Sequence, residues 1–251
     1  MIELRHLSAG YGRNVVLEDI NMNISDRKVL ALLGPNGCGK STLVKTILAL
    51  QPKLSGEIVI NGTHLEQLSS RERARRIAYL PQSRTTPNIS VGKMILHGRF
   101  PYMSYPRQYG EKDYNAVKHV MELMGITELA EMMMPQLSGG QQQKVYIAMA
   151  LAQDTDMIVM DEPTTFLDTG SQLDTCRLAH RFADDGKTVI LVTHDLPLAM
   201  QYADEIAVLA ERKLQAYGTS EDIYGSGTLD RVFGIRLKRV MTEDGWQYYP
   251  V

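Results

Sequence analysis

The chain has 251 residues, 44% hydrophobic and 22% charged, with a formal net charge of -2. That composition excludes a disordered chain and offers no basic excess, so no nucleic-acid partner is expected. Two cysteines, Cys38 and Cys176, are too few for a disulfide framework and fit a reducing cytosol. Met1 to Arg5 carries no apolar signal segment, and no apolar run approaches the roughly 18–20 residues of a membrane-spanning helix. A membrane role is therefore expected to run through a partner.

Taken in chain order, Ile2 to Leu7, Val15 to Ile24 and Glu57 to Ile60 read as short strands separated by Gly, Asn and Asp turns. They predict an antiparallel sheet. Val29 to Leu33 is a continuous apolar run that stops at Gly34, which predicts a strand buried on both faces. A helix is expected from Lys40 to Leu50. From about Ser90 to Ala152 the pattern turns helical, with Val117, Val120, Met121 and Met124 at helical spacing. Met157 to Met160 and Thr188 to Val192 are two more buried strands. Strands alternating with helices imply a parallel sheet and an α/β fold.

Between the first buried strand and its helix lies Gly34-Pro35-Asn36-Gly37-Cys38-Gly39-Lys40-Ser41-Thr42, which fits G-x-x-x-x-G-K-[ST]. Glycines let backbone N–H groups turn inward without Cβ clashes, and those groups with the helix N-terminus bind phosphate oxygens. Lys40 brings a cation to the β/γ-phosphates, and the Ser41 hydroxyl is suited to ligate Mg²⁺. Cys38 reads first as a small residue filling a tight turn; the other reading is a thiol whose pKa is lowered by the helix N-terminus, with alkylation expected to block nucleotide binding.

The strand Met157 to Met160 delivers Asp161 and Glu162 at its end. Adjacent strand residues point to opposite sides. Asp161 is assigned to the metal, and Glu162 to positioning or deprotonating an attacking water. Met132, Met133 and Met134 are expected to pack as apolar residues, since thioethers without nearby Cys or His are weak ligands.

Leu137-Ser138-Gly139-Gly140-Gln141, shortly before Asp161, resembles the signature motif of ABC ATPases. Tyr11 resembles the aromatic residue that stacks on adenine, and Gln82 the Q-loop glutamine near nucleotide and metal. Thr165-Phe166-Leu167-Asp168 resembles the D-loop, and His194 the switch histidine that contacts the γ-phosphate. The resemblance covers nearly the whole chain, with the motifs in the family's order. It implies a phosphate-loop NTPase cassette with a RecA-like parallel-sheet core, an N-terminal antiparallel β-subdomain and an inserted helical subdomain. The division expected is a core of residues 1–89 and 153–227, a helical part 90–152 and a C-terminal extension 228–251. ATP and Mg²⁺ are the implied ligands.

The family pattern also implies a head-to-tail dimer. Ser138 would cap the helix running to Ala152, and its hydroxyl with the Gly139 and Gly140 N–H groups would form a second anion site. That site would close on the γ-phosphate held by the other copy, with Asp168 at the interface. Gly98-Arg99-Phe100-Pro101-Tyr102, the Thr-Thr-Phe-Leu-Asp form of residues 164–168 and the tail around Val232-Phe233-Gly234-Ile235 resemble importer ATPases for siderophores, haem or vitamin B12. Zinc and manganese importer ATPases share part of this. An importer motor at the cytoplasmic side of the membrane, with permease subunits and a substrate-binding protein, is the reading the resemblance implies. A soluble assembly factor of the iron–sulfur type stays open as the alternative. Arg99 to Tyr102 is expected to touch the permease, and Lys238, Arg239 and Trp246 to Tyr249 to form a closing hairpin or edge strand.

Overall fold

The computed structural model describes all residues except 83, 84, 104, 106, 107, 166 and 244; Phe166 of the D-loop stretch thus lies outside the described residues. The chain begins with β1 (Ile2–Tyr11) and β2 (Asn14–Ile24), then β3 (Val29–Leu33), α1 (Lys40–Ile47), β4 (Lys53–Ile60) and β5 (Thr63–His64). Next come α2 (Ser70–Arg76), β6 (Ile77–Leu80), α3 (Val91–Leu96), α4 (Glu111–Met124) and α5 (Gly139–Ala152). The second half holds β7 (Met157–Asp161), α6 (Thr169–Asp184), β8 (Thr188–Val192), α7 (Leu196–Tyr202), β9 (Glu205–Ala210) and β10 (Lys213–Gly218). It closes with α8 (Ser220–Gly225), α9 (Thr228–Phe233), β11 (Leu237–Thr242) and β12 (Gly245–Pro250).

One sheet has the order β2-β1-β4-β5 and is antiparallel. The other runs β10-β9-β3-β8-β7-β6, parallel throughout except for β10 at its edge. The mixed α/β class and both sheet types match the expectation. The tail forms an antiparallel β11–β12 hairpin.

The continuous apolar runs hide a period of two. Leu30, Leu32, Val159, Ile190 and Val192 face α1 and the antiparallel sheet, packing on Leu43, Val44, Ile47, Leu4 and Ile58. Their neighbours Ala78, Leu80, Ile158, Met160, Val189 and Leu191 face the helices, on Val145, Ile147, Ala179 and Phe182. Both faces are covered, as parallel strands require. Met134 lies fully inside the helical cluster, in keeping with apolar packing of the methionine run.

Helix α1 ends at Ile47, three residues short of the expected Leu50. Ala49 takes a left-handed conformation (φ 54°) and the Leu50 N–H turns back to the Lys45 carbonyl. A left-handed residue after the last turn is a common helix stop.

The stretch after α3 is corrected at Arg99. It forms a 3₁₀ turn, His97–Tyr102, in which Arg99 points inward and is only 8% exposed. Its Nε donates to Asp113 Oδ1 at 3.0 Å, its Nη1 donates to the Ala152 carbonyl at 2.8 Å, and the guanidinium lies 4.0 Å from the Tyr102 ring centre. Gly98 is required here because a Cβ would sit 2.1 Å from the Met149 carbonyl oxygen. Arg99 therefore ties α4 and α5 to this turn and does not present itself to a partner. Phe100 in the same turn is 57% exposed.

Candidate functional site

The loop between β3 and α1 is shaped by its glycines. At Gly34 (φ 155°) a Cβ would meet the Leu209 carbonyl oxygen at 2.2 Å and Cys38 Sγ at 2.6 Å, so only glycine lets the strand end pass so close to β9. α1 then starts at Gly39 with no side chain capping its first N–H groups. Such uncapped amides with the helix dipole suit an anion. Lys40 is buried, and its Nζ donates to the Gly34 and Pro35 carbonyls at 2.6 and 3.1 Å. The ammonium is thereby held at the base of the loop.

The loop opens on a cleft of about 660 Å³ lined by Tyr11, Asn14, Val16, Asn36, Gly37, Gly39, Lys40, Ser41, Thr42, Gln82, Glu162 and His194. Residues from opposite ends of the chain meet here because β3, β7 and β8 lie side by side and end at one edge. Tyr11 is the last residue of β1 and is 48% exposed, so its ring has a free face for a planar ligand. Asn14 and Val16 were not expected. Asn14 pairs with Tyr11 across the β1–β2 turn, which places it at the same rim.

The two acidic residues are presented differently. Asp161 is the last residue of β7 and is 3% exposed. The Tyr79 hydroxyl donates to its Oδ2 at 3.2 Å, whereas its Oδ1 is buried with no hydrogen-bond partner. Burial pushes its carboxyl up; the Tyr79 and Ser41 hydroxyls oppose that. Burial also pushes the Tyr79 hydroxyl up, aided by the Asp161 charge. A buried carboxylate oxygen without a donor, beside a serine hydroxyl, fits a hard cation that takes oxygen ligands. Ser41 and Asp161 would hold Mg²⁺.

Glu162 has already left the strand. Its backbone is left-handed (φ 48°), costly for a non-glycine residue and frequent at functional sites. The alternation argument thus holds for Asp161 only, and it is this twist that carries Glu162 into the cleft. Its Oε2 accepts from Gln82 Nε2 at 2.6 Å and from the Thr165 hydroxyl at 3.2 Å, and lies 3.8 Å from His194 Nδ1. With the Gln82 nitrogen turned to Glu162, its carbonyl oxygen is the atom able to face a cation. The sequence places Thr165 in the D-loop stretch but not as a partner of Glu162.

Ser138, Gly139, Gly140, Gln141 and Asp168 are not brought into this cleft. Ser138 caps α5: Gln141 N–H donates to its Oγ at 3.3 Å, and Ser138 N–H donates to Gln141 Oε1 at 3.0 Å. Asp168 caps α6 through the Ser171 N–H and hydroxyl at 3.0 and 2.8 Å, which hold its carboxyl below the usual range. The two caps adjoin, since a Cβ on Gly140 would lie 3.3 Å from Ser171 Oγ. One chain thus carries two separate helix starts with small residues at their ends, α1 without a side-chain cap and α5 with one.

The Cys38 side chain is turned from the cleft, while its backbone stays in the loop. It lines a neighbouring groove with Arg212 and Arg231, and its thiol is raised by burial, with Lys40 opposing. The lowered thiol expected from the helix start does not hold, because desolvation outweighs the nearby cation. Iodoacetamide at pH 7.5 is expected to label Cys38 more slowly than an unperturbed thiol, and faster as pH rises. The Cys176 thiol, buried and pushed up to about 12, follows later still. Peptide mass spectrometry of the two sites reads the order; faster labelling of Cys38 than of a free thiol would contradict it.

The fold and cleft define a phosphate-loop nucleoside triphosphatase. Residues 17–165 match the ABC transporter family. The ferric enterobactin transport ATP-binding protein FepC of Escherichia coli K12 is 39% identical over 232 residues, 92% of this chain and 86% of FepC. A solved inward-facing metal-chelate-type ABC transporter superposes with TM-score 0.87 at 25% identity, over 100% of this chain and 97% of that one. A dimeric ATP-binding cassette in a post-hydrolysis state with ADP and phosphate gives 0.75 at 27% identity, over 88% and 99%. The chain belongs to the ABC transporter ATP-binding family, and it is an ATP-binding ATPase of that family.

Proposed function

We propose that the chain is the motor of a bacterial importer of iron chelates, of the siderophore, haem or cobalamin kind. It works as a head-to-tail pair at the cytoplasmic face of the membrane, beneath permease subunits served by a substrate-binding protein. The observation that carries the pairing is the separation of the two helix starts. The cleft at α1 is open on one side, and the Ser138 cap of α5 faces solvent on another part of the same chain. A second copy turned head to tail would bring its α5 start over the phosphates held at α1, and the reverse. The chelate class rests on the likeness to FepC and to the metal-chelate-type transporter.

In this reading the loop N–H groups and Lys40 hold the phosphates, and the Tyr11 ring stacks on the base. Mg²⁺ on Ser41 and Asp161 supplies charge neutralisation. Gln82, Thr165 and His194 surround Glu162 and fix its carboxylate, which orients a water in line with the γ-phosphate and takes its proton. His194 would contact the γ-phosphate, so the presence of that phosphate alters what holds Glu162. Asp168, next to the α5 start, would lie where the two copies meet.

The test is reconstitution in lipid with a candidate permease. ATP-dependent uptake of a ferric siderophore, lost with Glu162→Gln, is expected. Co-purification with soluble scaffold proteins and no permease would move the function to the assembly-factor reading.

A further inference from the structure

We propose that Tyr79 is a positioning residue for the metal: its hydroxyl anchors one oxygen of Asp161 and so presents the other to Mg²⁺. This rests on the reading of Ser41 and Asp161 as the magnesium-holding pair.

The sheet register makes the arrangement. β6 lies beside β7 in parallel, with Tyr79 opposite Val159. Val159 and Asp161 are two residues apart on one strand, so Tyr79, Val159 and Asp161 share the face that looks toward α1 and Ser41. A tyrosine at that position reaches forward along its neighbour, and its hydroxyl arrives 3.2 Å from Asp161 Oδ2. Leu80 and Ala78, one residue to either side, point into the helical cluster instead. Only this register places a phenol beside the end of β7.

A carboxylate that is 3% exposed and bonded through one oxygen is not free to rotate its group at no cost. A half-turn of the carboxylate only exchanges its two equivalent oxygens, whereas any smaller rotation breaks the bond with the phenol and leaves both oxygens buried without a donor. The Tyr79 bond therefore fixes the plane of the carboxylate and leaves its other oxygen, Oδ1 as it stands, for the cation. Neither Tyr79 nor Asp161 lines the open cleft that Ser41 and Glu162 share; both lie beneath it, and the phenol acts through the carboxylate. Tyr79 borders a separate surface pocket with Leu48 and Arg73. Its ring packs against the apolar cluster around α1 and the antiparallel sheet, so removal of the hydroxyl alone leaves it seated.

Hydrogen-bond partners of metal ligands are worth about 10–100-fold in metal affinity. The experiment measures ADP binding by calorimetry in EDTA and across a Mg²⁺ titration, for wild type, Tyr79→Phe and Asp161→Asn. Tyr79→Phe is expected to bind ADP in EDTA as wild type does, while needing about tenfold more Mg²⁺ for half of the metal-dependent gain. Tyr79→Phe with wild-type Mg²⁺ dependence, beside an Asp161→Asn that has lost it, would overturn the Tyr79 role and leave the metal pair standing. Parallel weakening in EDTA and in Mg²⁺ would mean packing only, and would overturn it too. Asp161→Asn with unchanged Mg²⁺ dependence would overturn both. Thermal unfolding of each variant confirms that the protein measured is folded.

Discussion

Replacement of Glu162 by glutamine is expected to lower ATP turnover by about 10²–10⁴-fold, the range for losing a positioned general base. ATP binding should survive. The groups that hold the phosphates, Gly34 to Thr42 with Lys40, belong to another segment, and Lys40 keeps its own contacts with Gly34 and Pro35. The substitution removes a charge and a proton acceptor but hardly changes shape. Its amide oxygen can still accept from Gln82 and Thr165, so the left-handed backbone at 162 has the same support. A variant that binds but does not cleave should also accumulate as a pair when ATP is present, if the second copy closes on the γ-phosphate. Single-turnover phosphate release measures the first effect and light scattering the second. Turnover within a few-fold of wild type would remove Glu162 from the chemistry. His194, 3.8 Å from the same oxygen, would then be the residue to replace.

Much of this site was legible because its chemistry is written in contiguous residues. The phosphate loop joins β3 to α1 through six residues, Gly34 to Gly39, and Asp161-Glu162 stands at the end of a buried strand. Both need only a local reading. The rest depends on which strands are neighbours. Nothing near Tyr79 in sequence announces Asp161, 82 residues away, because only the β6–β7 register brings them together. Thr165 and Asn14 enter in the same way, through a turn and a hairpin partner. Strand alternation gave the right side for Asp161 but not for Glu162, where one left-handed residue replaces the strand geometry. Helix α1 is shorter than its apolar pattern for a similar reason, since Ala49 adopts a conformation that propensity does not favour. Cys38 failed on magnitude: burial and helix-start electrostatics act on the thiol in opposite directions, and a sequence does not say how deeply a loop residue is covered.

Arg99→Glu is expected to destabilise the fold by about 3–5 kcal/mol, the cost of breaking a buried ion pair by losing one partner. Its side chain and that of Asp113 are 10% and 13% exposed, so water cannot replace the lost contact. The new carboxylate would face Asp113 and leave the Ala152 carbonyl, the last of α5, without its donor. The Tyr102 ring would lose the cation on one face, with Arg75 remaining 4.9 Å away. In a chain of this size the unfolding midpoint should fall by about 10 °C. Arg99→Lys keeps the charge but not the planar fork that serves Asp113 and Ala152 together, and should fall between. The swapped pair Arg99→Asp with Asp113→Arg should recover part of the loss, which an effect of charge at the surface would not. Phe100→Ala, by contrast, removes a side chain that is 57% exposed and should cost less stability than Arg99→Glu. If that variant weakens permease association while Arg99→Lys does not, recognition in this turn belongs to its outward residue, and Arg99 serves by holding the turn in shape. An Arg99→Glu protein that melts as wild type would refute the ion pair as a structural tie.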